Sequence, residues 1–212
     1  MFKLLVERLR ILIWGSDPMR YGERLRGIPL NPGDIAIDCG ANVGNVTEHL
    51  AAHGATVYAF EPNPHAFARL AERFASRPTV HCLNQAVLDR PEKLRLFMHT
   101  QAPEDQVKWS VGSSILDFKS NVNPGDATEV EAVDLAAFVL GLGQPVRLIK
   151  LDVEGAECRI VNRLIDSGAI QKVHLLLVET HDDKIPELRK ETDELRSRIA
   201  REQLTNIRLD WV

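Results

Sequence analysis

The sequence predicts an α/β domain with a mostly parallel central sheet and helices on both faces. Two observations carry that expectation. Short apolar runs alternate with amphipathic stretches from residue 34 to the end of the chain, an order that implies parallel pairing. The first two runs, Ile35-Ala36-Ile37-Asp38-Cys39 and Val57-Tyr58-Ala59-Phe60-Glu61, are almost continuously hydrophobic, as strands covered on both faces are. A chain of 212 residues, 44% hydrophobic and 26% charged, suffices for one such domain with a substantial core. The domain is expected over 31–212, after a helical extension over 1–30.

In that extension, Phe2, Leu5, Leu9, Leu12 and Ile13 fall near one helical face, with Lys3, Glu7, Arg8 and Arg10 largely elsewhere. The run 1–14 is too short and too charged to span a membrane, and it lacks the cleavage pattern of a secretory signal. It reads as a helix packed on the domain or on a partner subunit of a homo-oligomer, in preference to membrane-surface contact. Gly15-Ser16-Asp17-Pro18 stops it. Strands are then expected at 34–38, 56–61, 79–83, 146–151, 173–179 and 206–211, and helices at 44–53, 64–76, 132–140, 156–167 and 184–203. Leu94-Arg95-Leu96-Phe97-Met98 adds an extra strand. The polar stretch 99–123, with Trp109 and Gly112-Ser113-Ser114-Ile115, is long enough to read either as an acceptor-binding lid, the preferred reading, or as a flexible excursion. Near the C-terminus, Leu188, Leu195 and Ile199 turn inward from a charged helix that pairs Arg189 with Asp193, and Trp211 belongs to the core.

The first strand runs into Asp38-Cys39-Gly40-Ala41-Asn42-Val43-Gly44, and the second ends in Glu61-Pro62-Asn63. Glycine at 40 and 44 admits positive φ and close approach of a ligand, and a carboxylate ending the next strand about 20 residues later suits both hydroxyls of a ribose. That is a nucleoside-cofactor site. A dinucleotide loop of the G-x-G-x-x-G kind sets backbone N–H groups against a pyrophosphate. Here an acid leads the loop and Asn42 stands where a middle glycine belongs, a charge pattern that repels phosphate and suits the ammonium of S-adenosyl-L-methionine.

Four segments in order resemble an FkbM-family S-adenosylmethionine-dependent methyltransferase: Ile37 to Gly44, Phe60-Glu61-Pro62-Asn63, Asn84-Gln85-Ala86-Val87, and Lys150-Leu151-Asp152-Val153-Glu154-Gly155-Ala156-Glu157. The last is the most family-specific, because many methyltransferases share the first two alone. The resemblance implies a Rossmann-like methyltransferase fold and methyl transfer, commonly to a hydroxyl oxygen of a sugar, glycoconjugate or natural product. It does not identify the acceptor.

In an open parallel sheet ligands sit beyond the carboxyl ends of the strands, which names the candidates. Asp38 is expected to hold the methionine end of the cofactor through its amino group, with Gly40, Ala41, Asn42 and Gly44 shaping the loop. Glu61 is expected to bind the ribose, Pro62 and Asn63 to lie beside the adenosine, and Asn84, Gln85 and Ala86 to edge the adenine. Asp152, Glu154 and His181 are the candidates to take the acceptor proton during in-line displacement. Acids also favour helix N-termini, so Asp152, Glu154 and Glu157 have a second explanation. A variant places Mg²⁺ on Asp152, Glu179 and Asp182, but their spacing is no dedicated metal signature and no metal is assigned.

Charge and cysteine usage narrow the class. A net charge of −4 with dispersed Lys and Arg offers nucleic acid no attractive face. Cys39, Cys82 and Cys158 form no C-x-x-C pair and lie mostly in apolar runs, which fits a reducing, cytoplasmic setting. Two other readings stay open: an NAD-linked oxidoreductase, which explains Glu61 but not the acid at the loop, and a noncatalytic cofactor-binding protein.

Overall fold

Strand β1 (Ile35–Cys39) is buried at every position, because it has a parallel neighbour on each side and helices above and below. In the computed structural model, which describes residues 25, 27–102, 105–110, 113–116 and 121–211, it pairs with β2 (Thr56–Phe60) and β7 (Leu148–Leu151). The helix expected over 1–14 and Gly112 lie outside the described residues. The six-stranded sheet continues through β3 (Val80–Leu83) on one side and β8 (Leu176–Val178) and β9 (Ile207–Arg208) on the other. Its order is β3-β2-β1-β7-β8-β9, parallel throughout.

Side-chain alternation along β1 divides the core in two. Ile35, Ile37 and Cys39 join a cluster with α3 (Leu135–Gly141) and α4 (Glu157–Asp166), through Leu135, Val139, Ile160 and Leu164. Ala36 joins the opposite cluster with α1 (Asn45–Ala51) and α2 (Pro64–Phe74), through Leu50, Leu70 and Phe74. Trp211 is buried in that second cluster, as expected of a core residue. The last helix, α5 (Arg189–Arg201), is preceded by a 3-10 turn at Pro186–Leu188 rather than running unbroken from 184. Leu195 is buried, and Asp193 pairs with Arg196 while Arg189 donates to the carbonyl of Asp182.

The main departure from expectation lies between the third and fourth strands of the large sheet. There β4 (Ala86–Leu88), β5 (Glu92–His99) and β6 (Val122–Asp134) form a second sheet in the order β4-β6-β5. Strand β5 contains the expected extra strand, but β6 takes up residues 124–131, to which no element was assigned, and the start of the helix expected at 132. Its Asp134 then caps α3, accepting the N–H of Ala137 at 3.1 Å. No helix among the described residues is long and apolar enough to cross a membrane.

Candidate active site

The chain passes outward from β1 to β3 and returns to β7, so the loops after β1 and β7 part at a topological switch point. A cavity opens there, enclosing about 210 Å³. That is many times the space an ordered water needs, so the cavity is of ligand size. Gly40, Ala41, Asn42, Glu61 and Pro62 form one wall, Gln85, Ala86 and Leu88 another, and Lys150, Asp152 and Glu154 a third. Phe60, Leu96 and Ile115 supply apolar surface.

The glycines do different work. At Gly40, φ is +77° and an added Cβ would lie 1.9 Å from the carbonyl oxygen of Asp152, so only glycine lets the two loops touch. Gly44 caps α1 at φ +86°, and a Cβ there would lie 2.4 Å from the Phe74 ring. It lets α1 and α2 pack closely, and it is not on the cavity wall. Asn42 also takes a positive φ, +50°, and donates from its side chain to Ser110 Oγ at 2.9 Å.

Glu61 is buried, its Oε2 accepting the N–H of Asn42 at 2.7 Å and its Oε1 the N–H of Asn63 at 2.8 Å. Burial pushes its carboxyl up to about 7, although those two N–H groups and Lys150 pull the other way. Each oxygen retains a second lone pair for a ligand hydroxyl. Asn63 caps α2, accepting N–H groups from His65 and Ala66. Asn84 donates to the carbonyls of Glu61 and Pro62 at 2.9 and 3.1 Å, and so braces the wall from outside, whereas Gln85 and Ala86 line it.

Asp38 is fully buried and does not line the cavity. Its Oδ2 accepts the Thr47 hydroxyl at 2.7 Å, and its Oδ1 lies 3.4 Å from the Lys150 ammonium. Lys150, which was not among the expected site residues, is buried on the cavity wall and donates to the carbonyl of Gly40 at 2.8 Å and of Cys39 at 3.3 Å. It also lies 3.2 Å from Asp152 Oδ2. Burial pushes the neighbouring Cys39 thiol far up, which fits a packing role.

His181 is brought to the same carboxylates but not to the cavity wall. Its Nδ1 lies 3.0 Å from Glu157 Oε1, and its Nε2 lies 3.3 Å from Glu154, 3.7 Å from Asp152 and 3.8 Å from Glu179. Burial alone would lower its pKa, but the hydrogen bond and charge of Glu157, with the charges of Glu154 and Asp152, raise it to about 9. The imidazole is therefore protonated at neutral pH and acts as a counter-ion. Glu157 holds it while accepting the N–H groups of Val153 and Gly155 at the start of α4. Donor atoms of Asp152, Glu157 and His181 lie within 4.8 Å of one another, a spacing that can hold a metal ion.

A strap from the long excursion adds a further side. A 3-10 turn at Lys108–Ser110 brings Ser110 to Asn42, Ser113 Oγ meets the Asn63 amide at 3.3 Å, and the Ser114 hydroxyl donates to the carbonyl of Glu154 at 2.7 Å. That last bond helps hold Glu154 at φ +60°, a conformation costly for a residue with a side chain. Trp109 stacks on His99 with ring centroids 4.8 Å apart and carries the Lys108 ammonium 4.9 Å away. The strap serines were read only as part of a lid, since nothing local marks their distant partners.

The model of the methyltransferase FkbM domain matches residues 38–205, nearly the whole of the two-sheet domain. The chain belongs to the FkbM methyltransferase family. A relative, 31-O-demethyl-FK506 methyltransferase FkbM of Streptomyces tacrolimicus, is 27% identical over 179 residues, which is 74% of this chain and 68% of that protein. Among solved structures, an rRNA methylase from Streptococcus thermophilus is similar at 12% identity and a TM-score of 0.47, over 87% of this chain and 80% of that one. Precorrin 8W decarboxylase from Methanobacterium thermoautotrophicum is similar at 13% identity and a TM-score of 0.41, over 72% of this chain and 57% of that one. The FkbM match takes in the Gly40 loop, Glu61, the strap and the Asp152–Glu157 segment together.

Proposed function

We propose that this FkbM-family chain is an S-adenosyl-L-methionine-dependent O-methyltransferase acting on a hydroxyl of a saccharide, glycoconjugate or natural-product small molecule. The observation that carries the reading is one cavity holding both a nucleoside-binding edge and a pair of carboxylates: Glu61 and the Gly40 loop on one side, Asp152 and Glu154 on another. The residues fit that cofactor. Glu61 matches a ribose diol, the Gly40 backbone admits close approach, Phe60 and Leu88 offer apolar surface to a purine, and the local acids suit its ammonium and sulfonium while repelling a pyrophosphate. S-adenosylmethionine supplies, when bound, a methyl group on a sulfonium that is already a good leaving group.

The chain has two tasks left, alignment and removal of the acceptor proton. Glu154 and Asp152 face the cavity and are the groups able to accept a hydroxyl hydrogen. His181 holds their negative charge in place from behind and is already protonated. The relative's name, 31-O-demethyl-FK506 methyltransferase, supports an oxygen acceptor.

The test screens hydroxylated acceptors for S-adenosylhomocysteine formation and compares Glu154→Gln. Loss of a positioned base is expected to lower kcat by about a hundredfold or more, with affinity for S-adenosylhomocysteine unchanged. Binding of NAD in place of S-adenosylhomocysteine would move the protein to redox chemistry. Normal turnover by Glu154→Gln would remove that carboxylate from the mechanism.

A further inference from the structure

We propose that Asp152, rather than Asp38, seats the α-ammonium at the amino-acid end of the cofactor, and that Lys150 is the fixed counter-ion of Asp38; this rests on the cofactor reading above. Asp38 has no exposed surface, and its two oxygens face the Thr47 hydroxyl at 2.7 Å and the Lys150 ammonium at 3.4 Å. Its negative charge is met inside the protein, behind the cavity wall. Lys150 is locked to the loop by the carbonyls of Gly40 and Cys39, so it is not a free arm waiting for a ligand.

Asp152 differs on both counts. Its side chain is 26% exposed and lies on the cavity wall. Its backbone is pressed against the cofactor loop, its N–H donating to the carbonyl of Cys39 at 3.2 Å and its own carbonyl occupying the space a Gly40 side chain would need.

Charge decides which end of a zwitterion belongs beside it. Asp38, Lys150 and Asp152 together carry two negative charges and one positive. An added ammonium neutralises the group, whereas an added carboxylate makes it more negative in a poorly solvated site. The wider network points the same way. Asp38, Asp152, Glu154, Glu157 and Glu179 face Lys150, His181 and Lys184, so even with His181 charged an excess of negative charge remains. The two cavity acids then separate by role. Asp152 is anchored to the cofactor loop, while Glu154 is anchored to the strap through Ser114 and is left as the group for the acceptor proton.

The experiment titrates S-adenosylhomocysteine and its analogue lacking the α-amino group, by calorimetry, into the unaltered protein and Asp152→Asn. On the unaltered protein the deaminated analogue is expected to bind at least tenfold more weakly. Asp152→Asn should weaken S-adenosylhomocysteine by about ten- to hundredfold, the loss of a hydrogen bond between charged groups. It should leave the deaminated analogue within about twofold, closing the gap. Equal loss for both ligands, or unchanged S-adenosylhomocysteine affinity with slowed turnover, overturns the proposal and returns Asp152 to a structural or acceptor-side role. Equal affinities of the two ligands on the unaltered protein overturn it without any variant. Binding of neither ligand overturns the cofactor reading, and this proposal with it.

Discussion

Glu61 is a carboxylate whose buried place changes when it is charged. Two backbone N–H groups and the Lys150 charge favour the ionised form, yet burial outweighs them and the carboxyl rises to about 7. A ribose diol donates hydrogen bonds, and the ionised carboxylate accepts them best. Affinity for S-adenosylhomocysteine is therefore expected to strengthen about tenfold between pH 6 and pH 8, following the ionised fraction of a group titrating near 7. Calorimetry at the two pH values checks this, and Glu61→Gln should bind weakly and without the slope. A slope that survives in Glu61→Gln would assign the titration to another group. At this scale the sequence was informative wherever a residue's surroundings are made by its near neighbours. Gly40 and Glu61 are marked by a turn and a strand end, and both reach the cavity. Lys150 gave no such signal, since the Gly40 carbonyl it holds is 110 positions away in the chain. Asp38 was legible as a site acid but not as a shielded one, because its shield is that same distant lysine.

At the scale of elements, α1 and α2 are joined through Gly44, where the backbone is left-handed and an added methyl would meet Phe74 at 2.4 Å and Leu70 at 2.8 Å. Gly44→Ala thus combines an unfavourable φ with overpacking against a ring in a buried cluster, and is expected to destabilise the fold by about 2 kcal/mol or more. Urea denaturation measures it; a midpoint equal to that of the unaltered protein would mean that the helices part without cost. The β–α–β opening was legible because its strands are apolar throughout and its turn carries glycine. Strand β6 was not, although Glu129-Val130-Glu131-Ala132 alternates exposed acid with buried apolar residue, as a half-buried strand does. Pro124 and Gly125 lie shortly before that run, and such residues mark bulges and edges more often than strand interiors. The sheet accommodates them at the register shift in its β5 pairing, between Ala127 opposite Phe97 and Val122 opposite His99. The same excursion hid the strap, whose serines act through partners on three other elements.

Across the whole molecule the charges around the cavity link its stability to pH. Asp182 contributes on the acid side: burial alone would raise its pKa, but Arg196 and other hydrogen bonds hold it below its ordinary value. Its stabilisation is present above the ordinary aspartate range and is lost as pH falls through it. Glu61 and His181 work in the opposite direction, because each binds its proton more tightly in the folded protein. For Glu61, raised from 4.5 to about 7, stability declines as pH rises through that interval. For His181, raised from 6.5 to about 9, the stabilisation is complete below pH 6.5 and is lost as pH climbs through 9. That histidine effect is on the order of 3 kcal/mol, since its surroundings at Glu157, Glu154 and Asp152 are poorly solvated. Maximum stability of the ligand-free protein is accordingly expected on the acid side of neutrality, with a fall between pH 6.5 and pH 9. Urea midpoints at pH 6, 7.5 and 9 give the slope. His181→Gln should be less stable at pH 6 and should keep only the shallower fall that Glu61 contributes up to slightly above pH 7, staying nearly level from pH 7.5 to pH 9, because the histidine's titration is gone while the facing carboxylates remain. An unaltered protein equally stable at pH 6 and 9, or a variant with the parent's slope, would show that the imidazolium is not what holds these acids together.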